Sequence, residues 1–478
     1  LPDGCTDPIA CNYDVSATCD DGSCLIFYGC MDTLACNYDA SASCDDGSCL
    51  TVYGCTEITA CNFDSIATCD DGSCDLPNGC RDSLYLEYDA SVTCIDSTAC
   101  ITLIVNGCTD SLALNYNLLA NVDDGLCCGS SFLIPFGTQL GIDIDAEASG
   151  DGDWGSSVSV SSDGNTVAIG YPYNDGNGTS SGHVRIYNWN GSSWSQIGAD
   201  IDGEAAYDWS GSSVSISSDG NTVAIGAPYN DGNGTSSGQV RIYYWNGSFW
   251  TQVGTDIDGE AAYDYSGHSV SISSDGNTVA IGAPYNDANG TDAGHVRVYN
   301  WDGSSWSQIG ADIDGELSND KNGHSVSISS DGNTVAIGAP YNDANGTDAG
   351  NVRVYNWDGL SWSQIGVDID GESSGDESGV SVSLSSDGNT VAIGARYNEG
   401  WLGYGSGHVR IYNWDGLSWI QVGADIDGSS VNDWSGWSVS LSDDGNTVAI
   451  GAPYNAANGY GSGHVRIYNW SGSSWINL

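Results

Sequence analysis

The chain has 478 residues and sets 63 Asp and Glu against 9 Lys and Arg, a formal net charge of −54. A polyphosphate partner needs clustered cations, so nucleic-acid binding is excluded, and docking on anionic lipid is disfavoured for the same reason. The 66 Gly, 17 Trp and 26 Tyr, against 5 Phe and 1 Met, suit short strands and tight turns. No apolar run approaches the roughly 18 residues of a membrane helix, so direct membrane insertion is not expected. The opening LPDGC has neither the basic start nor the apolar stretch of a signal peptide, so any such leader is expected to have been removed or never included.

All 18 cysteines lie between Cys5 and Cys128. They mark a cysteine-rich domain over 1–128, a linker over 129–135 and a cysteine-free domain over 136–478. The first domain is a loop-rich array. GCTDPIACNYDVSATCDDGSC starts at Gly4 and recurs from Gly29 and Gly54, a 25-residue period, with degenerate copies from Gly79 and Gly107. Units this small cannot bury a core, so covalent staples replace it, and disulfides imply an oxidising, secreted setting. Zinc is the competing reading, but the cysteine spacings of x5, x7 and x4 come with no histidine in the domain.

In the fifth copy Leu114 and Val122 replace the second and third cysteines, while Cys108 and Cys127 keep the first and fourth. Loss of partners in pairs predicts nested bridges: Cys5–Cys24 around Cys11–Cys19, Cys30–Cys49 around Cys36–Cys44, and Cys55–Cys74 around Cys61–Cys69. Cys80–Cys100 and Cys108–Cys127 follow. Leu86 replaces the second cysteine of the fourth copy, which leaves Cys94 to the spare Cys128. The units resemble the short Gly-Cys-Thr-Asp repeats of secreted surface proteins of marine bacteria and, more distantly, thrombospondin type 3 calcium repeats. Asp7, Asp14, Asp20 and Asp21 offer oxygen ligands to calcium; equally, Asn-Tyr-Asp and Asp-Asp-Gly are turn formers.

From residue 136 the period lengthens. SDGNTVAIG recurs with its Asp at Asp163, Asp219, Asp275, Asp331, Asp387 and Asp444, at steps of 56, 56, 56, 56 and 57 residues. Within one copy SVSIS alternates at period two, Asp219-Gly220 turns it into NTVAIG, and Asn246-Gly247 joins QVRIYYW to SFWTQVGTDI. A four-strand meander repeated in this way predicts an all-β fold, a β-propeller of six or seven four-stranded blades. The outer strand sets the ambiguity, because FGTQLGIDID (136–145) and SSWINL (473–478) compete for one place. The spare one can also pair with another molecule and extend an edge between subunits.

Each copy carries a tryptophan before and after the second turn, from Trp189 and Trp194 to Trp470 and Trp475, read as cross-strand clamps. Each also carries one strand arginine (Arg185, Arg241, Arg297, Arg353, Arg410, Arg466). A buried cation needs a carboxylate, and the recurring DIDGE run supplies it. That run is also the candidate calcium site, as Asp200, Asp202, Glu204 and Asp208, then Asp256, Asp258, Glu260 and Asp264, then Asp312, Asp314, Glu316 and Asp320. Asn-x-Ser/Thr at Asn177, Asn190, Asn233, Asn246, Asn289, Asn345 and Asn469 offers glycosylation sites.

GHSVSIS, VAIGAP and GHVRVYNW over 267–301 resemble the FG-GAP repeat, the blade unit of integrin alpha-subunit propellers. The resemblance covers 136–478 and implies a cell-surface or secreted propeller used for recognition or scaffolding. In the calcium-binding blades of that family an Asp-rich loop separates the two strands; here only Ser-Ser-Asp-Gly-Asn stands there, so that site is not carried over.

Four of the six histidines sit in Gly-His-Val, where other copies have Gln239 and Asn351, and no nucleophile–base pair is legible, so no enzyme is expected. The repeat breaks at Lys321 and in ARYNEGWLGYGSG, where Arg396, Trp401 and Tyr404 form a candidate contact loop suited to stacking on sugars. The expected function is a secreted structural or adhesive protein, a stapled stalk with a propeller head that binds an extracellular glycan or protein or packs with copies of itself in a fibre. A calcium-dependent, lectin-like adhesin is the alternative.

Overall fold

The computed structural model describes residues 2–75, 78–80, 82–90, 94–95, 99–107, 109, 120–123, 139–145, 156–400, 403–459 and 461–478. They divide between two compact units, Leu1–Pro135 and Phe136–Leu478. Strands are the regular elements of both, and among the described residues no helix is long and apolar enough to cross a membrane.

In the first unit each repeat makes one short parallel pair, such as Tyr28–Gly29 with Cys44–Asp45 and Tyr53–Gly54 with Cys69–Asp70. The rest is turn, held by aspartates that accept from nearby backbone or hydroxyl groups: Asp14 from Ser16, Asp20 from Gly22, Asp21 from Ser23 and Asp7 from Ile9. Among the described residues the buried apolar side chains are cysteines and one alanine in each of the first three units, as in Cys30, Ala35 and Cys44. Cys5–Cys24, Cys30–Cys49, Cys55–Cys74 and Cys80–Cys100 close single units.

The inner bridges differ from the nested expectation. Cys11 joins Cys44 and Cys36 joins Cys69, so Cys11–Cys19, Cys36–Cys44 and Cys61–Cys69 are not formed. The backbone supplies the reason. Cys11 N donates to Leu25 O while Cys44 N donates to Phe27 O, so the segment between repeats lies along both cysteines and brings their Cα atoms to 5.8 Å. Cys61 is also disulfide-bonded, and Cys19, the third cysteine of the first unit, is an exposed free thiol. Loss in pairs still operates, across units: Leu86 of the fourth copy and Val122 of the fifth hold the two positions such a bridge would join. The expected Cys108–Cys127 and Cys94–Cys128 bridges lie outside the described residues. Non-reducing peptide mapping is expected to recover Cys11–Cys44; a Cys11–Cys19 peptide would overturn the cross-unit pairing.

The second unit is a six-bladed β-propeller. In one blade Ser213–Ile216, Thr222–Ala227, Gln239–Trp245 and Trp250–Gln252 follow each other antiparallel, and Ile257–Asp258 pairs with the start of the third strand. The outer strand is thus broken in two. Gly254 stands at the break with φ +75°, where a Cβ would lie 2.8 Å from Trp306 of the next blade, so the position admits no side chain. The innermost strands are laced about the axis by Ser162 N to Ser218 O, Ser218 N to Ser274 O, and so on to Ser386 N to Asp443 O.

A blade is apolar on both faces and is stable only between neighbours. Ala224, Val240, Ile242 and Ile257 of one blade close on Val270, Ile272, Val279 and Ile281 of the next, and this core recurs at five junctions. Two faces stand apart. Val158 and Val160 of the first blade are 58% and 53% exposed where Val214 and Ile216 are 8% and 7%, and Val465 of the sixth is 67% exposed where Val240 is 0%. The two segments that compete in the sequence occupy different places. Trp475–Asn477 pairs within the sixth blade. Leu140 accepts from Trp194 Nε1 at 3.1 Å, and Ile144 packs on Val167 and Ile169, so this segment covers the first blade as Ile197 and Ile201 cover the second. Val240→Ala is expected to cost about 2 kcal/mol in denaturant unfolding and Val465→Ala under about 0.5; equal costs would show that the end faces are covered in solution.

Candidate functional site

The acidic runs between blades are engaged in holding the ring together. Arg241 donates from Nη2 to Asp202 O at 2.7 Å and sets Nη1 3.8 Å from Glu204. Arg297 and Arg353 reach Glu260 and Glu316 of the preceding blade at 3.6 Å. Asp256 and Asp312 accept from Gln252 and Gln308, and Asp200 accepts from Gln196. Asp208, Asp264 and Asp320 each accept from a backbone N–H of their own turn and from the Asn of the next blade's Pro-Tyr-Asn loop. Burial raises the pKa of Asp208, Asp258, Glu260, Asp314 and Asp320.

Acids of a run thus already have protein partners, as Asp200 has Gln196 and Asp208 has Asn230. Among the described residues, the metal-competent groups within 4.8 Å are His183 with Asp200 and Asp202, Glu260 with His295 and Asp312, and Glu372 with His408 and Asp425. Other blades place an amide where these histidines stand: Gln239 donates to Glu204 at 3.0 Å and Asn351 to Asp368 at 3.2 Å. The position asks for a hydrogen-bond donor facing carboxylates, which a neutral imidazole also meets. The tryptophans act as clamps: Trp245 faces Trp250 at 5.4 Å, and Trp250 Nε1 donates to Ile197 O of the previous blade.

The repeat varies most at the start of the first strands. Ser156, Ser212, His268, His324 and Trp437 stand just ahead of their first strands and Val380 within the longer Ser378–Leu384, and all six line one cavity of about 450 Å³ at the end of the ring. The loop residue three positions earlier is Trp209, Tyr265, Lys321, Glu377 or Trp434, each held at φ between +52° and +56°. Their N–H groups force this by donating to the preceding blade's loop, as from Trp209 to Ser180 O and Lys321 to Asp292 O. Bulky side chains in the left-handed region cost on the order of 1 kcal/mol each, a strain that marks functional loops more often than framework.

These residues form a rail of rings around the mouth. Tyr173, Trp209, Tyr229, Tyr265 and Tyr285 follow at 4.9, 4.1, 4.9 and 4.9 Å. Lys321 Nζ bridges Tyr285 and Tyr341 at 4.3 and 4.9 Å. Arg396 pairs with Glu377 at 2.5 Å and lies over Tyr397 and Trp437 at 4.9 and 4.6 Å, and Trp434 continues to Tyr454 at 4.1 Å. The rings of His268 and His324 meet at 4.9 Å, tilted by 52°. Burial lowers both pKa values, that of His324 to about 3 with help from His268, Arg396 and Lys321, so both rings are neutral at pH 7.

Of the expected contact loop, Arg396 lines the mouth, Tyr404 stacks on Tyr397, and Trp401 lies outside the described residues. The six-residue ring escaped a reading that compared motifs and not columns; aligning the copies on Gly-x-Ser-Val-Ser would have exposed it. The sequon side chains Asn177, Asn233, Asn289 and Asn345 spend the amide nitrogen that a glycan would take on the carbonyls of Gly203, Gly259, Gly315 and Gly371. Asn190 and Asn246 cap exposed turns, and Asn469 donates to Asn446 O.

The FG-GAP repeat model matches residues 200–243, 250–299, 313–355 and 425–468, so the propeller carries FG-GAP repeats. No curated protein matches the chain. Among solved structures, a 6-phosphogluconolactonase candidate from Bacteroides uniformis aligns at 12% identity and TM-score 0.47 over 68% of this chain and 84% of its own. Hydrazine synthase of Kuenenia stuttgartiensis aligns at 17% identity and TM-score 0.42 over 66% and 83%. At these values neither bears on chemistry here.

Because the folded-state pKa of His268 and His324 lies below the unfolded one, the unfolded chain binds more protons below about pH 6.5, and stability falls with acid by at most about 1.4 kcal/mol per pH unit per ring. The double variant His268→Ser/His324→Ser copies Ser212 and is expected to lose less stability than the wild type from pH 6.5 to 4.5; parallel urea-melt slopes would refute this.

Proposed function

We propose that this is a secreted, non-enzymatic adhesive or structural protein whose propeller recognises an extracellular glycan or protein at the aromatic mouth, with the stapled array as its spacer. The observation that carries the reading is the placement of variation. Strand pattern, clamps and arginine ties recur from blade to blade, whereas the six residues around one cavity are of four kinds, Ser, His, Val and Trp. Packing asks the same of every blade, so a ring of unlike residues answers to something outside the fold. Disulfides that cross between repeats support an oxidising, extracellular setting and a spacer that resists extension.

The exposed apolar faces at Val158, Val160, Val465 and Ile467 favour a second reading, assembly into a fibre with copies of itself.

Both readings are testable together. Immobilised protein is offered a panel of extracellular polysaccharides and matrix proteins, with and without chelator, and Trp209→Asn/Trp434→Asn is run beside it, since Asn accepts the left-handed backbone. The expected result is retention of one class of probe, weakened about tenfold or more in the variant at unchanged unfolding temperature. Loss with chelator would make calcium part of the site. Retention indifferent to the variant, with ordered polymers in electron micrographs, would replace recognition by the fibre.

A further inference from the structure

We propose that the mouth takes an anionic sugar, a pyranose bearing a carboxylate or a sulfate; the proposal rests on the mouth being the recognition surface. The chain has nine basic residues, and six are the strand arginines that tie blades together, which leaves Arg81, Lys321 and Arg396. Arg396 lines the cavity, and Lys321 stands beside it, facing the lining residues His268 and His324, in a protein of net charge −54.

The fold does not ask for them. Other blades place Pro172, Pro228, Pro284, Pro340 or Pro453 where Arg396 stands, and Trp209, Tyr265, Glu377 or Trp434 where Lys321 stands. Arg396 gives Nε and Nη2 to Glu377. Lys321 lies between the rings of Tyr285 and Tyr341, and no carboxylate lies within 4 Å of its Nζ among the described residues. Arg396 is paired with Glu377, which Asp348 also faces, whereas Lys321 is held on aromatic faces without being neutralised by an ion pair. Flat rings suit the apolar face of a pyranose, the neutral His268 and His324 supply polar edges, and the cavity volume falls in the small-ligand range. Charged hydrogen bonds to an acid group would then select the sugar.

The test is calorimetric titration of the full chain with oligosaccharides of three kinds: uronate, sulfated and neutral. The control is the variant Lys321→Tyr/Glu377→Tyr/Arg396→Pro, in which every replacement is a residue that another blade already carries in the same backbone. At least one anionic class is expected to bind about tenfold or more tighter than the neutral one, and the variant to lose that preference while unfolding at the wild-type temperature. Whether the uronate or the sulfated arm carries the preference identifies the acid group. A neutral sugar bound as tightly as both anions, or a preference that survives in the variant, overturns the proposal. Trp209→Asn separates this from the underlying reading: if it weakens neutral-sugar binding with no anion preference present, the mouth stands and the anion falls. If no sugar's binding responds to it, the mouth itself falls.

Discussion

A four-stranded sheet with two apolar faces has no stable existence alone, and the propeller follows from that constraint. Val240 and Ile242 need Val270 and Ile272 of the next blade, which in turn need a third. The same necessity places the polar ties. Arg241, Arg297, Arg353 and Arg410 are buried, and their partners, a carbonyl and a glutamate, belong to the preceding blade. Each outer tryptophan donates across the same boundary. Acidic runs that look like ion sites in one dimension become mortar once neighbouring blades stand side by side, because the arginine, histidine or amide that faces them comes from elsewhere in the chain.

Repetition that satisfies packing leaves few positions free to vary. At the end of the ring the first strands begin, and their opening side chains face a shared cavity and not a neighbour's core. There the copies diverge, the backbone is held in the left-handed region, and the spare cations collect. A surface of this kind answers to a ligand, and the strained loop geometry holds its rings in place before any ligand arrives.

The cysteine array solves a related problem with different means. A 25-residue unit buries little besides its sulfurs, so one bridge closes the unit and a second joins it to the next. Cooperation between neighbours, achieved by apolar faces in the propeller, is covalent here.

Much was legible beforehand. Period-two alternation, Asp-Gly and Asn-Gly turns and the 56-residue step set the blade, its strand order and the tryptophan clamps, since all of these are local or follow from simple repetition. The outer bridges were readable because their partners lie within one unit. The inner bridges were not: sequence spacing ranks Cys19 as nearer to Cys11 than Cys44 is, and only the path of residues 25–27 reverses that order. The mouth was legible in part, as Arg396, Tyr404 and Lys321, because departures from a repeat can be seen in a string of letters. That Ser156, Ser212, His268, His324, Val380 and Trp437 share one cavity depends on closing the blades about an axis, a relation between residues some 56 positions apart that the chain order does not express.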